Sequence, residues 1–483
     1  MFFGRIKKVV FSSLTFLLLF LPLLYLALFL FKDKHWRNGV LIVFSLFFYG
    51  WGEPVWISAM LFSTAVNYVC ARLLCSAKSS FLKKLCLTLG VIASICFLFY
   101  FKYSAFLFNS LAGLLHLSLR LEAPKLPIGI SFYTFQILTY TVDVYRGKAP
   151  MLKNPMKLLL YISCFPQLIA GPVVQYGDIA DQLDSRSILP DDFVTGMRRF
   201  VLGLSKKVLL ANICGAALEE LTLAGSGASM SLAGGWMGAF LYTLQLYFDF
   251  SAYSDMAIGL GKTLGFTYKE NFNYPYISRS ITEFWRRWHI SLGSFFRDYV
   301  YIPLGGNRKG AARTVLNMLI VWSLTGLWHG ASWNFVAWGA YYGLLLILER
   351  FVLKNMLDKL PGLLRWALTF VIVMVGWVLF YYTDFANVAQ HVLALIGLEY
   401  SGGAFHAIAL SDAVAAAVLK KYTVYPLLAF VLSLPLLPWL KDRLSAHEKL
   451  STALQNLGTV SLLAVSLLFL VGQSYNPFIY FRF

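Results

Sequence analysis

The chain has 483 residues, of which 59% are hydrophobic and only 13% charged, against roughly 25% charged in soluble domains, and this excludes a water-soluble globular fold. The formal charge is +18, from 41 basic and 23 acidic residues. The basic residues punctuate apolar runs, as in loops facing anionic lipid, so nucleic acid is set aside as a partner. The 17% aromatic content fits interfacial belts instead of a base-stacking platform.

In chain order, residues 9–31, 39–62, 85–101 and 366–382 are apolar runs near the 20 or so residues that a helix needs to cross the hydrocarbon core. Residues 17–30 do not read as a cleaved leader, because no small-residue cleavage site follows and further apolar segments come at once. Residues 425–440 and 460–472 remain apolar enough to insert despite Pro426, Pro435 and Pro438. With the shorter, Gly/Pro-broken stretches included, the sequence predicts an all-α polytopic membrane protein of about 11 to 13 membrane segments, read as a single domain over 1–483. The six cysteines lie in or beside apolar stretches without a CxxC pair, and no metal site is expected.

Residues 165–172 contain two prolines and a glycine and cannot be one regular spanning helix; residues 302–307 are broken likewise. Broken backbone at membrane depth is tolerated where protein or a water-filled cavity satisfies it. The apolar stretch 236–260 carries Gln245, Asp249 and Asp255. Asp249 and Asp255 are six positions apart, about 600° of helix rotation, so they do not share a face and paired-carboxylate catalysis is not expected. Gln245 and Asp249 can line one face, and bonds to Arg or Tyr of neighbouring helices are the simplest role for such groups.

Residues 262–313 hold nine basic and three acidic side chains, which places the region at the cytoplasmic face. Residues 314–330 and 332–348 then form a pair of passes, Arg350, Lys354, Lys359 and Arg365 mark an inside loop, and continued alternation leaves residues 473–483 outside. In the basic region Trp285, Trp288, Leu292 and Phe296 fall on one side of a helix, with Arg286, Arg287 and Arg297 elsewhere, which predicts one amphipathic interfacial helix through His289. His329 sits in an apolar stretch between Gly326 and Gly330. A membrane-embedded ionisable residue is a functional candidate, although His329 also reads as a histidine bonded between helices and His289 as an interfacial residue.

The pieces Glu283-Phe284-Trp285-Arg286-Arg287-Trp288-His289, Arg297 through Arg308 and Gly326-Leu327-Trp328-His329-Gly330 resemble the membrane-bound O-acyltransferase family, in the branch with bacterial alginate O-acetyltransferase membrane subunits. Residues 245–259, 165–173 and the Asn476-Pro477-Phe478-Ile479-Tyr480-Phe481-Arg482-Phe483 tail match as well, with the core motifs over 245–340. The resemblance implies a ring of helices around a funnel, in a bacterial cytoplasmic (inner) membrane. It makes His329 the essential histidine and general base, with His289 as the second histidine of the site. It also implies acetyl-CoA as donor substrate without a bound cofactor, a polysaccharide acceptor, an extracytoplasmic acyltransferase partner, and an acyl relay on Tyr480. Gln245, Asp249, Asp255, Trp328 and Asn273 are candidates to line the cavity; Arg286, Arg287, Arg308 and Lys309 are candidates, by charge, to hold the donor's phosphates. D-alanyl transfer from a thioester on an acyl carrier protein is the alternative within the family, and a proton-coupled transporter or flippase the alternative outside it.

Overall fold

The computed structural model describes residues 10–224, 230–444 and 448–472. These are helical apart from connections and one short antiparallel hairpin, Leu398–Ser401 with Ala404–Ala407, which the all-helical expectation did not contain. They group into two compact units, one from the chain up to Val201 with Tyr253–Glu270, the other from Leu202–Ala252 with the chain from Asn271 on. The helix Leu232–Thr263 contributes to both; its 32 residues make it about 48 Å long.

Six helices among the described residues are long and apolar enough to cross a membrane: Ile57–Ser76, Ser80–Leu114, Pro190–Thr222, Trp333–Leu357, Gly362–Tyr381 and Glu448–Gly472. The pair Ala413–Tyr422 and Val424–Leu432, bent by 62°, makes a seventh if counted as one span. The number is below 11 to 13 because several apolar stretches do not form long apolar helices. Residues 9–31 yield only the short apolar helix Phe16–Phe29. The stretch 425–440 is divided at Ser433–Pro435 between two nine-residue helices, Val424–Leu432 and Leu436–Leu444.

In the first unit, buried polar side chains tie helices together where lipid offers no hydrogen-bond partner. Asn67 donates to the Ser94 hydroxyl at 2.8 Å and accepts from Thr141 at 2.9 Å, joining the helices Ile57–Ser76, Ser80–Leu98 and Ile130–Tyr145. The broken stretch 165–172 is satisfied in the same manner: Gln136 donates to the Gln167 carbonyl at 3.3 Å, and the Phe165 N–H to the Ser45 hydroxyl at 3.2 Å. Residues 302–307, by contrast, form a half-exposed turn with positive φ at Gly305 and Gly306, so their breakers serve a loop and not a buried break.

In the second unit the helices Ala311–His329 and Trp333–Leu348 lie against each other. Glycines set how closely: a Cβ on Gly326 would collide with the Phe335 carbonyl, and one on Gly339 with the Trp322 carbonyl. The glycine beside the histidine thus lets two backbones meet. Around this pair Trp285, Trp288, Trp338, Tyr342 and Trp377 form an aromatic core, with Trp285 4.8 Å from Tyr342 and Trp288 4.8 Å from Trp377 between ring centroids.

Candidate functional site

The interfacial helix expected through His289 is instead two seven-residue helices, Ile281–Arg287 and Ile290–Phe296. Trp288 is extended and His289 left-handed, at φ 48° and ψ 51°. A non-glycine residue there costs on the order of 1–3 kcal/mol and persists only where its surroundings impose it. At the near end, Ser280 caps the first helix by accepting from the Glu283 N–H at 3.0 Å. The Glu349 carboxylate, from a distant helix, takes the N–H groups of Ile281 and Thr282 at 2.7 and 3.1 Å. The turn itself is anchored on both sides: the Asn273 N–H donates to the Arg287 carbonyl at 2.9 Å and the Ile290 N–H to the Asn271 carbonyl at 3.0 Å.

His289 is buried. Its Nδ1 lies 3.1 Å from Asn271 Oδ1, and its ring meets Phe250 edge-on at 4.7 Å. Nε2 is buried and has no hydrogen-bond partner among the described residues. Burial pushes the pKa down to about 3, so the ring is neutral at physiological pH. His329 is buried at the C-terminal end of its helix, its ring 5.0 Å from Trp338 and 5.1 Å from Phe380. Trp328 links the two histidines, 5.9 Å from the His289 ring and 4.8 Å from that of His329.

A cavity of about 1010 Å³ opens beside His289, while His329 is not part of its lining; the volume is at the upper end of the size of small-molecule sites. Its wall includes His289, Trp285 and Trp288, and it follows the helix Ala311–His329 through Met318, Val321, Trp322 and Thr325. Thr325 precedes His329 by one turn, about 6 Å along the axis, so the two share a helix face. The lining also carries charge, with Arg279, Arg286, Arg297, Arg350, Lys354 and Arg365 against Glu283, Glu349 and Asp358. Arg297 pairs with Asp298 and Arg365 with Asp358. No ion pair is found for Arg279, Arg286, Arg350 or Lys354 among the described residues, which leaves an uncompensated positive wall suited to phosphate.

Of the donor-binding candidates only Arg286 lines this cavity. Arg287 is held by Glu283 at 3.0 Å and by the Asn273 carbonyl at 3.1 Å, and Arg308 and Lys309 lie on the exposed turn. None of the five cavity-lining candidates lines it either. Asp249 is spent on a buried ion pair with Lys207 at 2.6 Å, and Asp255, in the first unit, pairs with Arg199 at 2.9 Å beside Glu270. Gln245 is buried in the long helix, Asn273 is exposed with its backbone bonded to Arg287, and Trp328 packs between the histidines. Tyr480 lies outside the described residues. Sequence reasoning missed Asn271, Glu349 and the cationic wall from Arg350 and Lys354; the last was legible only as loop charge. No cluster of metal-ligating side chains occurs among the described residues.

The profile described as "MBOAT, membrane-bound O-acyltransferase family" matches residues 10–388. A probable alginate O-acetylase of Azotobacter vinelandii is 44% identical over 77% of this chain and 74% of its own length. A peptidoglycan O-acetyltransferase of Helicobacter pylori is 31% identical over 82% and 81%. A teichoic acid D-alanyltransferase of Bacillus subtilis is 28% identical over 47% and 60%.

Proposed function

This chain belongs to the membrane-bound O-acyltransferase family, and from that premise we propose that it transfers an acetyl group from cytoplasmic acetyl-CoA toward a hydroxyl of an exported or cell-surface polysaccharide. The observation that carries the donor assignment is the cavity, lined by His289, by Thr325 and by cations that have no ion pair among the described residues. Its charged residues belong to segments read from their basic excess as cytoplasmic, in a bacterial inner membrane. Acetyl-CoA is too polar to cross lipid, but its acyl arm can follow the helix toward His329 while Arg279, Arg286, Arg350 and Lys354 hold the phosphates.

His329 is the general base. It takes the proton of the attacking hydroxyl as the new C–O bond forms at the thioester carbon. The C–S bond then breaks, and the same proton neutralises the departing thiolate. The polysaccharide reading rests on the likeness to an alginate O-acetylase and a peptidoglycan O-acetyltransferase. An extracytoplasmic partner would complete the transfer, with Tyr480 holding the acyl group between them.

The test is acyl transfer from radiolabelled acetyl-CoA in membranes, wild type against His329→Ala. Label reaching protein or polymer only with wild type supports donor and base together, and equal label in both removes His329 from the role. Partial likeness to a teichoic acid D-alanyltransferase favours a second donor, a carrier-protein thioester. Transfer from a charged carrier and none from acetyl-CoA would establish that reading instead.

A further inference from the structure

Asn271 is fully buried, and its Oδ1 accepts from both donors of one residue, the Ser291 N–H at 3.3 Å and the Ser291 hydroxyl at 2.8 Å. A backbone N–H can only donate, so the amide atom facing it is the oxygen, and the orientation of the Asn271 side chain follows. The same oxygen lies 3.1 Å from His289 Nδ1. An oxygen without a proton can only accept, so Nδ1 carries the hydrogen and Nε2 carries the lone pair. Nε2 occupies the ring edge away from Asn271, buried and without a partner among the described residues, in a residue that lines the cavity.

We infer that Asn271 is a positioning residue of the donor site: it locks His289 in the tautomer whose Nε2 accepts a hydrogen bond from an amide N–H of the donor's pantetheine arm. In this state Nε2 cannot donate to the thioester oxygen, so the part of His289 is to hold the arm while His329 handles the proton. The assignment rests on the donor-cavity reading above. The left-handed backbone of His289 belongs to the same device, because the Ile290 N–H on the Asn271 carbonyl holds the turn that delivers the imidazole to Oδ1.

The side chains shown against the imidazole are Asn271, Phe250 and Trp328, none of them charged. Glu283, Arg286 and Arg297 are the charged residues that line the same cavity from the two flanking helical segments. The wild-type ring therefore stays neutral across the working range. An Asn271→Asp carboxylate would keep the acceptor for Nδ1–H and raise the histidine's pKa, so that Nε2 gains a proton, and stops accepting, as pH falls.

The experiment measures kcat and KM for acetyl-CoA between pH 5.5 and 8 (about the range in which histidines ordinarily titrate) in wild type, Asn271→Ala and Asn271→Asp. We expect Asn271→Ala to raise KM about tenfold with kcat changed much less, as loss of one uniform binding contact should. Asn271→Asp should match wild type at the alkaline end and lose affinity for acetyl-CoA toward the acid end, whereas the wild-type KM stays flat. An unchanged KM in Asn271→Ala overturns the assignment. So does an Asn271→Asp enzyme that is impaired equally at every pH, since that is the mark of a merely structural side chain. If wild type takes no acetyl group from acetyl-CoA, the donor reading fails separately. The variants are then compared with a thioester-charged carrier protein, whose pantetheine arm bears the same amides, and inactivity with both donors overturns both conclusions.

Discussion

Two regions of the second unit carry charge, one buried among apolar groups and one exposed along a cavity, and they differ in whether that charge is paired. At Lys207–Asp249 both side chains are buried and bonded to each other at 2.6 Å. At the cavity wall, no ion pair is found for Arg279, Arg286, Arg350 or Lys354 among the described residues. Desolvating an ion is expensive, so a buried ion needs a counter-charge within the fold, whereas an exposed cation keeps its water and stays available to an anionic ligand. In the sequence the two kinds look alike, because each is an ionisable residue beside apolar ones. The partner decides the role.

Breaking the closed pair should give the largest effect. Asp249→Ala removes the carboxylate that pairs with the buried Lys207 ammonium, a loss of about 3–5 kcal/mol, read as a fall in thermal stability in detergent. Replacing both, Lys207→Met with Asp249→Leu, should recover most of it; equal instability of the double variant would mean that the pair has a further role. A smaller structural effect is expected from Gly326→Ala, whose Cβ meets the Phe335 carbonyl and should cost about 1–3 kcal/mol by forcing two helices apart. A stability unchanged from wild type would show that the helices yield freely.

Among the open charges, Arg350→Ala and Lys354→Ala should each raise the KM for acetyl-CoA roughly tenfold, as expected for a lost charge-assisted contact, with stability unaffected. The smallest effect belongs to Arg308→Ala and Lys309→Ala, where KM should stay within about twofold because neither residue lines the cavity and charges outside it act only through salt-screened solvent. A large rise in KM there would return those residues to the donor site.

How far the sequence reaches follows the same division. The membrane character was legible because apolar runs of that length match the thickness of the hydrocarbon core and leave no polar face for water. The glycines around His329 were legible because close backbone approach is what an added Cβ forbids. The separate fates of Asp249 and Asp255 followed from helical rotation, which depends on nothing distant. The break between Trp288 and His289 was not legible. The apolar spacing through Phe296 favours one helix, and the break is held by Asn271, 18 positions from His289. The cationic wall was hidden for a related reason, since Arg350 and Lys354 satisfy the rule for cytoplasmic loops whether or not they also line a cavity.

The central claim is that the open cations are the donor's handle. It is tested most directly by titrating acetyl-CoA into purified protein, wild type against the combined Arg279→Gln, Arg286→Gln, Arg350→Gln and Lys354→Gln variant. The account predicts saturable wild-type binding that weakens with salt, and a variant that folds normally yet loses most of that affinity. Equal binding by the two proteins would contradict it and place the donor elsewhere.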